Sequence, residues 1–376
     1  MVDYQETELD EELVAPGAEE DEPELLDEVM HPFNPTDIDI VSGPMSLDAL
    51  IKRMRYDEID MNTDFQRHAE LWDNRKMSRL IESILIRFPL PAFYFDASED
   101  ENWLIVDGLQ RLSSIKKFVI DGKLRLSGLE FLAELNGKTF AELSRQYQRR
   151  IEECQVTVYT IRPGTPEEVK YSVFRRINTG GLTLNNQEIR NALAKPRDRE
   201  LLEELANSEY SKVMLGDLSK RMKDQELVLR FWAFYRFDYL DPKNKKEIAS
   251  FLDKAMDDIK SRDEEERVEF KQRYLTAIHR CYGLLGRSGF EKDPDNSRKR
   301  SKNTTLFEVW MVALAKLTDT EFNCLMNKQS IFQAKARALL KDGEFFNAIT
   351  YSTQKKDHVE RRYEKVNALI NEVLSD

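Results

Sequence analysis

Three polar clusters in this 376-residue chain hold side-chain types suited to phosphate-ester chemistry. Gln66-Arg67 precedes an apolar helical stretch. Asp107, Gly108, Gln110 and Arg111 fall within six residues, VDGLQR, directly after the apolar run Trp103-Leu104-Ile105-Val106. Arg175-Arg176 lead through Asn178, Gly180 and Gly181 to Gln187-Glu188 and Arg190. A glycine beside a helix start lets the chain present N–H groups to an anion. An arginine there can hold a phosphate with two parallel hydrogen bonds. A nearby carboxylate, Asp107 or Glu188, can orient water, hold a divalent metal or take a proton. Each cluster also has a plain structural reading. Asp107-Gly108 reads as a turn and helix cap, Arg111 or Glu188 as half of a surface ion pair, and Asn178 to Gly181 as a helix C-terminal cap.

Other common chemistries lack their residues. Asn136-Gly137-Lys138-Thr139 resembles the end of a phosphate-binding loop, but Leu132 stands where that motif needs its first glycine, so a turn is expected. There is no Gly-x-Gly-x-x-Gly and no His-Glu-x-x-His in the sequence. His31, His68, His279 and His358 show no metal-ligand spacing, and no protein-held metal site is expected. Cys154, Cys281 and Cys324 are scattered, which argues against a disulfide framework or a structural zinc.

The elements that must position the clusters follow from periodicity. Ser46 caps a helix to about 56, with Leu47, Leu50, Ile51 and Met54 on its apolar face. A stronger helix over 74–87 stops before Phe88-Pro89-Leu90-Pro91. Residues 92–95, 103–106, 124–126 and 155–161 read as strands. VDGLQR opens a helix to about Ile120; Pro166 begins one to about Ile177, and 185–194 is helical again. From 197 the chain reads as helix: 197–207, 223–237, 246–260, 263–284, 304–316, 319–325, 329–341 and 355–374. The fold class is therefore α+β, a mixed α/β domain followed by an all-α domain, with boundaries at 1–36, 37–195 and 196–376.

Charge is uneven. Residues 1–36 hold 13 acidic and no basic side chains, with four prolines, and read as a disordered tail. Taking those 13 from the chain's 69 acids leaves 56 against 57 bases, so the net −12 does not argue against DNA binding by the body. The basic run Ser297 to Lys302 reads as a solvated loop or as a DNA contact. No apolar run is long enough to span a bilayer, and the opening residues show no basic-then-apolar leader. A cytoplasmic protein without membrane contact is expected.

Taken in order, the clusters resemble a known family, the N-terminal domain of GmrSD-type restriction endonucleases, related to ParB and sulfiredoxin. The resemblance runs through DFQRHAELWDNRKMSRLIESILIRFPLPAFYFDA (64–97), WLIVDGLQRLSSI (103–115) and VFRRINTGGLTLNNQEIRNAL (173–193), about a third of the chain. The helical remainder, including FFNAITYSTQKKDHVERRYEKVNALI (345–370), is similar to that of stand-alone members. The family signature is Asp-Gly-Gln-Gln-Arg; here Leu109 replaces its first glutamine. The resemblance implies a ParB/sulfiredoxin-like fold, nucleotide binding and hydrolysis, and defence against foreign or modified DNA. Asp107, Gln110 and Arg111 would line the site, with Gln66, Arg67, Asn178 and Glu188 at its other recurring positions. The expected ligand is a nucleoside triphosphate, with Mg2+ as the accompanying ion. The downstream His-Asn-His nuclease pattern is not evident, so by this resemblance the chain would lack the DNA-cutting half or use a separate nuclease subunit as partner for it. Two other readings remain: a non-catalytic DNA-binding module, and a metal-dependent nuclease in its own right.

Overall fold

The computed structural model describes residues 38–61, 72–99, 101–177, 185–241, 247–294 and 301–375. The acidic segment, Gln66, Arg67, Asn178, Gly180, Gly181 and Arg298 to Arg300 lie outside the described residues. The chain divides at Lys195–Pro196 into an α+β unit and a helical unit.

The α+β unit is built on five strands: β1 (Ile40–Ser46), β2 (Ile59–Asp60), β3 (Phe93–Asp96), β4 (Trp103–Asp107) and β5 (Gln155–Ile161). Their order is β1-β5-β3-β4-β2. β1 pairs antiparallel with β5, β5 parallel with β3, β3 antiparallel with β4, and β4 parallel with β2. Helices α1 (Leu47–Arg55), α2 (Asn74–Leu85), α3 (Leu109–Ile115) and α4 (Arg145–Glu152) share one apolar core with Phe93, Phe95, Trp103, Ile105, Val156 and Val158. Helices α5 (Glu167–Ile177) and α6 (Asn186–Leu193) form a second core with Val106 and Ile161 on the other face of the sheet. Strand alternation explains the split, because successive side chains point to opposite faces.

Local chemistry sets the helix ends. Ser46 accepts from the Ala49 N–H at 3.3 Å to start α1, as its sequence position implies. Asp73 does the same for α2 through the Lys76 N–H at 2.7 Å. α3 runs on as one wider, π-type turn to Ile120. Several expectations change, and β2 lies outside the expected strands. Residues 124–126 are not a strand: Leu124 and Leu126 are buried, but the backbone bonds here tie Leu126 to Lys138 and Gly137 without extending into a ladder. β1 and α4 were not foreseen, since IVSGPMS has weak strand character and RQYQRRIE has few apolar residues.

A carboxylate organises the loop after 126. Buried Glu82 on α2 accepts the N–H groups of Glu130, Phe131 and Leu132 at 3.0, 2.7 and 2.8 Å. Burial pushes its carboxyl upward, yet the three N–H donors outweigh that and hold it below the ordinary value of 4.5.

The helical unit comprises α7 (Pro196–Ala206), α8 (Glu209–Leu215), α9 (Lys223–Arg236), α10 (Ile248–Ser261), α11 (Glu264–Leu285), α12 (Thr304–Ala315), α13 (Asp319–Asn327), α14 (Gln329–Leu339), α15 (Gly343–Ala348) and α16 (Lys356–Ser375). α12 is buried along its whole length. Its Glu308 accepts from Arg230 on α9 at 2.9 Å and from Arg362 on α16 at 2.7 Å, all three side chains being buried. Lys302, at the end of the basic run, is also buried, donating to Glu291 at 2.6 Å and to the Arg287 carbonyl at 3.1 Å. This end of the run is an internal ion pair and not a solvated charge.

Candidate functional site

The site begins with an irregularity in the sheet. Phe95 pairs with Ile105 and the next residue on β3, Tyr94, pairs with Asp107, so β4 takes two steps where β3 takes one. Such a bulge re-aims a side chain. Regular alternation would send Asp107 to the face of Trp103 and Ile105. The bulge instead sets it across from Tyr94, on the face of Val106.

The chain then turns at Gly108, whose φ of 107° is outside the reach of ordinary L residues. A Cβ there would lie 2.4 Å from Phe93 Cδ1. α3 follows, and its first turn folds back on the junction. Leu109 packs into the first core. The Gln110 side-chain oxygen accepts from the Trp72 N–H at 3.2 Å. Arg111 donates from Nη2 to Asp107 at 2.7 Å and to the Ala92 carbonyl at 3.0 Å, and from Nη1 to the Pro91 carbonyl. Its guanidinium lies 4.4 Å from the centre of the Phe93 ring. The side chain is 9% exposed, whereas that of Asp107 is 39% exposed. Burial lowers the Arg111 pKa, an effect offset in part by Asp107.

This geometry gives the two residues different tasks. Both terminal nitrogens of Arg111 are committed to protein oxygens, so Arg111 fixes the loop Pro91-Ala92 and the direction of Asp107. Asp107 is the group that faces outward. Neither is the surface ion pair of the plain sequence reading, because the arginine is buried.

The third cluster is brought to the same strand. Asn185 caps α6 by accepting from the Glu188 N–H at 2.8 Å, while Glu188 accepts from the Asn185 N–H at 2.8 Å. Glu188 is buried in this reciprocal cap, as are Gln187, Arg190 and Asn191 beside it. Tyr171 on α5 donates to Asn186 at 2.8 Å, joining the two helices. Ile189 and Ala192 of α6 and Phe174 of α5 pack with Val106. The parts of the three blocks within the described residues therefore meet around the end of β4: α2 with Trp72 through Gln110, the VDGLQR junction itself, and α5 with α6.

Residues 49–195 match the family model of the GmrSD restriction endonuclease N-terminal domain. The α+β unit carries that domain. The match ends at Lys195, where the α+β unit ends, and the helical unit lies outside it. No curated protein and no solved structure matches the chain. Within the GmrSD-type domain, Leu109 is the residue that departs from the signature, and its side chain belongs to the core. Sequence reasoning did not reach Tyr94, which pairs with Asp107 across the bulge, or Tyr159, which stacks on the far side of Tyr94; their neighbourhood depends on strand register, which no local pattern reveals. Among the described residues, no cluster of three or more His, Cys, Asp or Glu could hold a metal, and no helix is long and apolar enough to cross a membrane.

Proposed function

We propose that the GmrSD-type domain binds a nucleoside triphosphate and hydrolyses it, within a system acting against foreign DNA. The observation that supports this most is the presentation of Asp107: a bulge and a left-handed glycine place it at the meeting point of the three blocks, and a buried arginine holds its direction. In the reaction, water attacks the terminal phosphorus, the bond to the bridging oxygen breaks, and the nucleoside diphosphate leaves. Asp107 orients that water and takes its proton. Arg111 acts as a positioning residue for Asp107. Gln66, Arg67 and Asn178 are assigned to phosphate contacts, and Gln110 to the wall of the site. Glu188 shapes the site by fixing the start of α6.

Mg2+ carried on a nucleotide takes one or two protein carboxylates beside phosphate oxygens, and Asp107 would be its ligand here, with the ion neutralising phosphate charge. DNA and a separate nuclease subunit are the proposed partners. The test is phosphate release by purified full-length protein. Asp107→Ala is expected to lower turnover at least tenfold with the circular dichroism spectrum unchanged, and Arg111→Ala to lower both turnover and stability. Equal turnover in wild type and Asp107→Ala would remove the assignment.

A further inference from the structure

A row of four side chains crosses the sheet at one register. Ser42 on β1 pairs with Tyr159 on β5, Tyr159 with Tyr94 on β3, and Tyr94 with Asp107 on β4. Directly paired residues point to the same face. The two tyrosine rings stack with centres 4.7 Å apart and planes 7° from parallel. That spacing is the strand separation itself, so the rings continue the sheet's own repeat of roughly 4.8 Å. At one end of the stack stands Asp107. At the other stands Ser42, exposed and too small to fill a ring's place. Among the described residues β1 is an edge strand, and no further strand closes the row beyond it. Among the described residues no third ring and no cation lies over either tyrosine, and neither hydroxyl is bonded to another group. Both rings are half-buried and so keep an accessible part.

Resting on the nucleotide reading above, we infer that Tyr159 and Tyr94 form the base platform of the site, the nucleobase stacking on the outer face of Tyr159 over Ser42. The base takes the rung that Ser42 leaves empty, and the sugar and phosphates run back across the two rings towards Asp107. Stacking recognises a planar heterocycle without reading its edges, so the platform accepts all four bases and favours the larger purines. Burial, with the neighbouring Tyr159 and Asp107, pushes the Tyr94 hydroxyl pKa up, so it stays protonated and able to donate to a phosphate or ribose oxygen.

The test is calorimetric titration of the full-length protein with ATP and, as a probe without a base, inorganic tripolyphosphate. Tyr159→Phe keeps the ring and should bind ATP as wild type does. Tyr159→Leu should weaken ATP roughly 5- to 150-fold and leave tripolyphosphate unchanged. Ser42→Trp, at an exposed edge position, should fill the rung and weaken ATP by a similar factor. The platform is overturned if Tyr159→Leu and Ser42→Trp bind ATP like wild type, if tripolyphosphate weakens in step with ATP, or if the wild type binds both probes equally tightly. Wild type that binds neither probe overturns the nucleotide reading and the platform together. ATP binding that survives in both platform variants but is lost in Asp107→Ala overturns the platform alone.

Discussion

Replacing Gly108 by alanine tests whether the junction is as tightly determined as its geometry implies. Two costs add. A non-glycine residue held at positive φ costs about 1–2 kcal/mol. The new methyl would also sit 2.4 Å from Phe93 Cδ1, far inside contact distance. Phe93 is fully buried and carries the Arg111 guanidinium over its ring, so it has no free direction in which to swing. Forcing an extra methyl into such packing costs about 1–3 kcal/mol. The sum is about 2–5 kcal/mol, or roughly 30- to 4,000-fold in an opening equilibrium. Amide hydrogen exchange on peptides covering 91–115 reads this locally, which matters in a chain of two units. Gly43→Ala is the control, because no atom lies within 4 Å of the added methyl and its φ is not positive. The expected result is faster exchange in 91–115 for Gly108→Ala by that factor, with peptides of the helical unit unchanged and Gly43→Ala within about threefold of wild type. Protection in Gly108→Ala equal to wild type would show that Phe93 and the turn rearrange freely, and the argument from close packing would fail.

Other changes have equally definite outcomes. Glu308→Gln removes the single negative charge between buried Arg230 and Arg362. It should cost about 3–5 kcal/mol, visible as a lowered melting temperature, and a normal melt would show that water reaches the arginines. Glu82→Gln replaces one of two accepting oxygens by a donor facing backbone N–H groups, so limited proteolysis near Phe131 should speed up at neutral pH. The same carboxyl gives a pH dependence. Its folded pKa is below the ordinary 4.5, so its contribution is complete above 4.5 and is lost as pH falls through the lower folded value. Proteolysis at Phe131 by an acid-active protease should therefore accelerate below about pH 4.5 in wild type and much less in Glu82→Gln. Lys302→Gln should destabilise the helical unit by breaking the pair with Glu291 while leaving the salt dependence of any duplex DNA binding unaltered. A shallower salt slope in that variant would restore Lys302 as a DNA contact.

Much of the fold can be read before any coordinates, because amphipathic helices announce themselves over ten or more residues. The Ser46 cap, α2 and its stop before Phe88-Pro89, β3, β4, β5 and the long helices of the second unit follow from periodicity and capping. β1 is different. Its Gly43 and Pro44 suit an edge strand, but only the full-length pairing with β5 makes it a strand at all. Leu124 and Leu126 show the converse: an apolar triplet looks like a strand and is buried like one, yet has no ladder partner. At the candidate site, motif spacing singled out Asp107, Gln110, Arg111 and Glu188. It did not show that Arg111 is spent on carbonyls or that Glu188 is a buried cap, since both facts depend on contacts across twenty residues or on local burial. The departure at Leu109 also changes meaning, because a leucine that packs into the core alters the support of the junction and not its outward face.

The bulge in β4 makes two kinds of spacing around Asp107 unequal. Val106 is the surplus residue of the strand, so a relative shorter by one between the Trp103 position and the acid could still set that acid across from the Tyr94 position. The interval from Asp107 to Arg111 has no such slack, since one helical turn and one ion pair fix it at four. Length variation in this domain should therefore fall before the acid and stop at it, and an aligned gap inside Asp-Gly-x-Gln-Arg would mark a chain that has given up the site.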